Sequence, residues 1–574
     1  MRILVPFFLL IGSGLMAQNK PFIRLVDGPR DVNRVRNPTQ YLSGSTCKKC
    51  LLSINGTKVR VYPTGAFAYE LTLEPGINVF NIVATAAPDM VNKKITYNYV
   101  LPSRDSVKEF GIDSIETFPK GNLMLQAGEK IQFRVKAWPD CRVVVNGNTT
   151  LNEMPVSTAG IRGIYQGEYV IKESDNFMNT QLPVTITDER GKTISRNTDY
   201  KISLFPKTGP DMLITRGRLA HLLFGLGEDR LGGAKIGYID SLIPLKMIGR
   251  VDSNYQVRLS QYHTAYIPSD VVSFLPRGTF TPSSLTGNWR VWGDSVFDYV
   301  SVALSTRLPY QSSQQIDPAK IVVDVFGATS NSNWIIQMEN AKEIKNVYYE
   351  QVEDEVFRIS IDLQHQQHWG YQIYYNNNNL VIKVRRQPAN LSLDHLTIAV
   401  DAGHGGSNYG AEGLTGSSEK ALTLAVSLKL QKALEAKGAK VIMTRTVEKF
   451  VDNKDRILFY RDSLPDLLVS IHCNSAGDPI HISGVSTYYK YIGFRDLSRS
   501  IYKRMLELGL KEFGNTGNFN FMLNSPIEYP NALVELLFLS NPEDEMKILD
   551  EEFQQQMVDK IMLGIEDFLR HSNG

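Results

Sequence analysis

Glu535 has no ordinary reason to be where it is. It interrupts "NALVELLFLSN", inside an apolar run from Ala532 to Leu539. An ionised carboxylate in such a run is costly unless it is paired or bound to something. Two histidines stand in similarly purposeful places. His404 follows the buried-type stretch Thr397 to Val400, inside the glycine turn "DAGHGG", and His472 lies near the end of "DLLVSIHCNS". Glu419 opens "EKALTLAVSLKLQKALEAKG". Two histidines and a carboxylate around an open position make a catalytic zinc set, and a further glutamate beside the bound water would act as general base and acid. Each residue alone also has a plain structural reading. A histidine near a strand end is commonly structural, and Glu419 could be an acid favoured by the first turn of a helix that Ser417 and Ser418 cap.

The elements that must position these residues alternate in type. Strand "LTIAV" leads to a helix with a leucine stripe that Gly438 stops, then to strand "KVIMTR", a helix, strand "LLVSIHC", a helix and strand "NALVELLFLS". This alternation predicts an α/β domain over 394–574, with a mostly parallel sheet and helices on both faces. His404 and His472 both reach the carboxyl edge of that sheet, where ligands of open α/β sheets gather. Side chains alternate along a strand, so His472 and Asn474 share one face. Cys473 takes the other face, as a packing residue rather than a nucleophile.

The chain has 574 residues, more than one core usually supports. Ahead of residue 394 it reads as β-rich modules punctuated by turns such as Asn55-Gly56 and Pro75-Gly76. The expected units are a β-sandwich (immunoglobulin-like) over 18–118, a second sandwich over 119–207, a small β-barrel over 208–275 and a further β domain over 285–388. The fold class is therefore multidomain, with N-terminal β-sandwich and small β-barrel modules followed by the C-terminal α/β domain. "CRVVVNGNTT" from Cys141 echoes "CLLSINGTKV" from Cys50, in keeping with two related sandwiches. "GLGEDRLGGAKIG" lacks the Gly-Lys-Ser/Thr of a P-loop and the spacing of a dinucleotide turn, and reads as tight turns. "HQQHWG" holds His365 and His368 with no third ligand nearby, and reads as a loop rim with surface histidines. "RRQPANLSLDH" reads as a linker.

Net charge is +2 with no long run of one sign, which argues against a nucleic-acid partner. The N-terminus carries Arg2, an apolar core from Ile3 to about Leu15, and small Ala17. This pattern predicts a secretory signal peptide over 1–17. Its apolar run is shorter than the ~20 residues a membrane-spanning helix needs, so no membrane anchor is expected after cleavage. "CKKC" (Cys47 and Cys50) is open to three readings: a redox pair, half a zinc site or a local disulfide. An exported protein favours the disulfide.

"DAGHGG", Glu419 in "SSEKALTL", "SIHCNS" and "ALVELLFLSN", in this order and spacing, resemble the zinc-dependent N-acetylmuramoyl-L-alanine amidases over roughly the last 180 residues. The resemblance implies one catalytic zinc held by His404, Glu419 and His472, with Glu535 as the catalytic glutamate. Arg445 and Arg456 fall at familiar positions, structural or substrate-facing. Asp401, Asn474 and Arg445 are the candidates for supporting the ligands or touching substrate, Asp401 as the partner of the second ring nitrogen of His404. Two positions depart from the family pattern. Cys473 replaces a small residue, and Leu537 stands where glycine is frequent. Between 472 and 535 there is little room for the inhibitory helix that some members carry. "HTAYIPSDVVSFLP" resembles the closing strands of bacterial Src homology 3 barrels. The strands "FDYVSVALS", "KIVVDVFGA", "VFRISIDLQ" and "NNLVIKVRRQP" resemble AMIN modules. The implied activity is hydrolysis of the amide between N-acetylmuramic acid and L-alanine of peptidoglycan, in the periplasm or, alternatively, secreted. The N-terminal modules would offer a site for a protein activator or septal partner. The rival expectations are a silent peptidoglycan-binding protein and a zinc peptidase that cuts within the stem peptide.

Overall fold

Apolar and polar residues alternate along many strands of the first 385 residues, and the sheets use this to bury one face. Lys130–Ala137 is typical: Ile131, Phe133, Val135 and Ala137 are buried while the residues between them are not. The computed structural model describes residues 20–26, 32–100, 107–205, 212–227 and 230–572. The signal-like segment 1–17 lies outside the described residues.

In the first module a three-stranded sheet (Arg24–Leu25, Thr39–Ser45, Ala66–Thr72) packs on a five-stranded one (Val32–Val35, Asp89–Tyr99, Gly76–Ala86, Leu51–Ile54, Thr57–Val59). Leu42, Phe67, Ile82 and Ile95 meet in the core between them. Cys47 and Cys50 form a disulfide with Cα atoms 5.1 Å apart.

The second unit is a single seven-stranded sheet. Its boundaries differ from those expected. Ile112–Phe118 pairs with Lys130–Ala137, so this unit starts before residue 119. Leu123–Leu125 and Ile202–Leu204 pair with each other, and Leu123 also pairs with Val251, so both strands belong to the nine-stranded sheet of the third unit. Periodicity marks a strand but not its partner, which is why the expected borders at 118 and 207 cut through paired strands.

The third unit and the AMIN-like domain also share one continuous core, in which Leu213, Leu245 and Ile267 join Trp289, Val323, Phe357 and Ile382. His368 is not a surface histidine: it is 1% exposed and its Nε2 lies 2.7 Å from the Gln315 carbonyl. The neighbouring Trp369 enters the core of the C-terminal domain. Arg385 reaches Asp466 at 2.6 Å. The segment read as a linker therefore joins two bodies already packed together.

The C-terminal domain is built from β1 (Thr397–Ala402), α1 (Glu419–Ala436), β2 (Lys440–Ile442), α2 (Asn453–Ser463), β3 (Leu467–Asn474), β4 (Val485–Tyr488), α3 (Arg495–Leu506), β5 (Glu512–Thr516), β6 (Asn531–Phe538), α4 (Pro542–Ile548) and α5 (Glu551–His571). Its six strands run in the order β2-β1-β3-β6-β4-β5. Neighbours are parallel except β4 against β6. One face packs Leu430 of α1, Leu497 of α3 and Ile561 of α5 against Val400, Val469 and Val534. On the other face Ile457 and Tyr460 of α2 meet Ala399 and Leu468.

Asp401, near the end of β1, is 1% exposed. Its Oδ1 accepts from Arg456 Nη1 at 2.9 Å, Thr444 Oγ1 at 3.1 Å and Tyr460 at 3.1 Å, and its Oδ2 accepts from Ser470 Oγ at 3.1 Å. Arg456 passes these restraints on by donating to the carbonyls of Ala402 (2.7 Å) and His404 (2.5 Å). Removing one partner of such a buried pair leaves an uncompensated charge, at a cost of about 3–5 kcal/mol. Asp401→Ala is therefore expected to lower the melting transition of the C-terminal domain by roughly 6–20 °C, at about 2–4 °C per kcal/mol for a domain of this size. Calorimetry checks this; an unchanged transition would refute the role of the pair.

Candidate functional site

Strand register places the site. In the parallel pair β3 and β6, His472 stands opposite Glu535, and in the antiparallel pair β4 and β6, Glu535 stands opposite Ser486. The glutamate on the central strand thus sits beside the histidine of the next strand, about 4.8 Å away across the ladder. β1 runs parallel to β3 with Ala402 opposite Ile471, so the turn after β1 emerges beside His472.

That turn is shaped to bring His404 inward. His404 has φ 62°, a left-handed conformation unusual for a non-glycine residue and one that clusters at functional sites. Gly403 leaves room for the other imidazole: a Cβ there would lie 2.4 Å from His472 Cε1. At Gly410 a Cβ would lie 2.4 Å from Glu419 Oε2, and its φ of 68° suits glycine. The small residues of "DAGHGG" clear space around the histidines.

Glu419 Oε1 lies 3.1 Å from His404 Nε2 and 3.0 Å from His472 Nδ1. One ligand atom from each of the three residues falls within 4.8 Å of the other two. The backbone N–H of Cys473 also donates to Glu419 Oε1, at 3.0 Å. On its far side His404 Nδ1 meets Asn408 Oδ1 at 2.9 Å, and the Gly410 N–H donates to the same oxygen at 3.2 Å. An oxygen that accepts from a backbone N–H accepts from the ring as well. Nδ1 therefore carries a proton, and Nε2, which faces Glu419, is the nitrogen that would give up its proton to ligate a metal. His472 Nε2 is buried with no protein partner among the described residues.

Charge follows geometry. Burial alone would raise the Glu419 carboxyl, but hydrogen bonds and charge from the two imidazoles hold it well below the carboxylate range. Burial depresses His404, and Glu419 more than offsets this, so its pKa is raised. Glu535 is the opposite case. Burial first, then the Glu419 charge, push its carboxyl well above the ordinary range, while Arg230 pulls it down. Its Oε2 is shielded and has no protein partner among the described residues. Two carboxylates that disfavour each other's charge, with two imidazoles, form a donor set suited to a divalent cation and an adjacent proton carrier.

The other candidates do different work. Asp401 is not the partner of His404; it faces α2 and is consumed by Arg456, Thr444, Tyr460 and Ser470, while Asn408 serves the ring. Arg445 is 1% exposed and holds the carbonyls of Ala402, Gly403 and Lys420, so it braces the turn rather than facing substrate. Asn474 lines the cleft, its Nδ2 3.5 Å from the Tyr488 hydroxyl. Cys473 is 3% exposed within the core, and burial pushes its thiol well up. Ser418 is the N-cap of α1 but makes no side-chain capping bond, and Ser417 Oγ instead donates to Glu545 at 2.8 Å.

A cleft of about 1170 Å³ opens over these residues, and its lining includes other modules. From the first sandwich come Arg34, Gln40 and Tyr41, and Tyr41 donates to Asp478 at 2.9 Å. Arg24 of that module pairs with Glu412 on the rim. From the third unit come Arg230 and Leu231, within the glycine-rich stretch read as tight turns. Asn520 pins that stretch by donating to the carbonyls of Leu231 (3.3 Å) and Gly233 (2.8 Å). Phe519 and Phe521 form an aromatic wall, with the Phe521 ring 5.4 Å from that of His472. Asn408 and the module residues escaped sequence reasoning. The only available signal for Asn408 was a polar residue four positions after His404 in the same turn.

The family model for N-acetylmuramoyl-L-alanine amidase matches residues 398–567, and that for the AMIN domain matches residues 288–384. The chain is 32% identical over 176 residues to the uncharacterized protein YqiI of Bacillus subtilis, covering 30% of this chain and 84% of YqiI. It is 33% identical over 172 residues to the probable cell wall amidase LytH of Staphylococcus aureus, covering 30% of this chain and 57% of LytH. Among solved structures it is similar to an N-acetylmuramoyl-L-alanine amidase from Clostridium difficile 630, at 29% identity and a TM-score of 0.29, covering 31% of this chain and 98% of that one. No helix among the described residues is long and apolar enough to cross a membrane. Through its C-terminal domain the chain belongs to the N-acetylmuramoyl-L-alanine amidase family of peptidoglycan hydrolases, with an AMIN domain directly ahead of it.

Proposed function

We propose that this chain hydrolyses the amide joining the lactyl group of N-acetylmuramic acid to the L-alanine of a peptidoglycan stem peptide, with one zinc ion held by His404, Glu419 and His472. The observation that carries this reading is the unpartnered Glu535 carboxylate beside three converging ligand atoms. The ionised Glu419 and Nε2 of His404 fit a zinc ion, whose protein ligands in catalytic sites number three. When bound, zinc polarises the scissile carbonyl and lowers the pKa of its water from ~15.7 towards ~7.

The chain's own residues do the rest. Glu535 accepts a proton from the attacking water as its oxygen adds to the carbonyl carbon. It then delivers that proton to the amide nitrogen, the C–N bond breaks, and the products are a lactyl carboxylate and a free alanine amine. Asn408 orients the His404 ring, and the Cys473 N–H fixes the Glu419 carboxylate. The phenylalanines at 519 and 521 exclude water from one side of the cleft. The reading places the protein in the periplasm of a double-membraned bacterium, with the N-terminal modules available to an activator or septal partner.

Mass spectrometry of the soluble products from purified sacculi tests the reaction. The zinc-loaded protein is expected to release peptides that begin at L-alanine. Fragments cut inside the peptide would instead mark a peptidase. Sacculi that pellet the protein but release nothing would mark a binder. Glu535→Ala is expected to retain its zinc and lose about 10²–10⁴-fold in turnover; metal lost together with activity would remove the proton-transfer role from Glu535. Gly403→Ala drives a methyl group into the His472 ring, and about 10- to 100-fold weaker zinc affinity is expected, the size of a disturbed ligand-orienting contact. His404→Ala should lower zinc content further. Metal analysis finding full occupancy in His404→Ala would end its assignment as a ligand.

A further inference from the structure

We propose that Arg34 of the first sandwich and Arg230 of the third unit form a carboxylate-recognising wall of the cleft, which takes the peptide side of the substrate. The inference rests on the amidase reading given above, and it assigns a substrate-orienting role to modules that the family match leaves without one.

Both arginines line the cleft that holds His404, Glu419, His472 and Glu535. Both side chains are exposed, and neither makes a hydrogen bond or ion pair among the described residues. This sets them apart from the other cations of that region. Arg24 is paired with Glu412, Arg456 with Asp401, and Lys420 with Glu448. Arg230 also lies near enough for its charge to act on Glu535 and on Tyr488, so the cation faces the reacting centre from the third unit's side. Its position is held from the C-terminal domain, because Asn520 binds the backbone just after it. Arg34 sits on the strand Val32–Val35, within a sheet, and is likewise carried on a fixed element.

The chemistry of the substrate selects the ligand. An N-acetylated sugar whose lactyl carboxyl is tied up in the amide carries no charge. The anionic groups of such a substrate therefore lie on its peptide, at the C-terminal carboxylate and on any acidic side chain. Guanidinium groups bind carboxylates in a two-pronged geometry that a lysine cannot reproduce. Two arginines carried by other modules, without a partner among the described residues, draw the peptide's carboxylates toward their side of the cleft and so give the peptide a preferred direction across it.

The test uses the full-length, zinc-loaded chain carrying Glu535→Gln, so that substrate is bound but not consumed. The probes are a synthetic N-acetylmuramoyl-L-alanyl peptide with free carboxylates and its twin with every carboxylate converted to an amide. Calorimetry is expected to show the acid form binding about fivefold more tightly, the size of one exposed charge pair. Adding Arg34→Ala and Arg230→Ala together should make the two affinities equal without moving the melting temperature, and the two Lys replacements should restore part of the preference. Equal binding of the twins by the parent protein, binding of neither, or a preference that survives the double alanine variant would each overturn the proposal. The amidase reading stands or falls separately, on the products that wild-type protein releases from sacculi.

Discussion

The buried ion pair of Asp401 and Arg456 is the constraint on which the rest of the site depends. Asp401 ends a buried strand and would be a severe liability there if unpaired. Paired with Arg456, and with three hydroxyl groups donating as well, it becomes a fixed post under the turn. Arg456 then grips the carbonyls of Ala402 and His404, and Arg445 grips those of Ala402 and Gly403. A non-glycine residue at φ 62° needs such over-determination from its surroundings. The left-handed His404 is held from beneath by two buried guanidinium groups, and only then does its ring reach Glu419.

On that foundation the centre sets two carboxylates in opposite electrostatic states. Glu419 accepts from both imidazoles and from the Cys473 amide, so its charge is stabilised. Glu535 has a shielded oxygen with no partner among the described residues and a like charge nearby, so its charge is disfavoured. Environments that push two titratable groups apart suit them to different tasks in one site. The separation follows from register. Glu535 lies on the central strand, where its neighbours across the ladder are His472 and Ser486 and no cation stands directly opposite.

Much of this was legible in the chain, for identifiable reasons. Glu535 stood out because a carboxylate inside an apolar run violates an energetic rule, and His404 because glycines surround it. Alternating strands and helices pointed to the α/β domain for the same kind of reason, since period and chemistry are local properties. What escaped notice is non-local. The second nitrogen of His404 went to Asn408 rather than Asp401, because on β1 the Asp401 side chain faces α2. The strand Leu123–Leu125 looks like its neighbours in sequence, yet it pairs with Val251 more than a hundred residues later. His368 reads as a loop residue and is buried, because the AMIN-like domain and the C-terminal domain share the packing around Trp369.

The contacts between modules differ in kind, and the difference bears on the cleft. The third unit, the AMIN domain and the C-terminal domain are joined by apolar cores and by partly buried pairs such as Arg385 with Asp466. The first sandwich meets the C-terminal domain through Arg24 with Glu412 and Tyr41 with Asp478, polar contacts at the rim. Exposed pairs of this kind contribute about 0–1 kcal/mol each, far less than the apolar burial that joins the other three. The inner wall of the cleft is thus set by the fold itself, while its outer wall is set by a few surface contacts. Recognition placed on that outer wall can change through surface substitutions that leave the register of β3 and β6, and hence the pairing of His472 with Glu535, untouched.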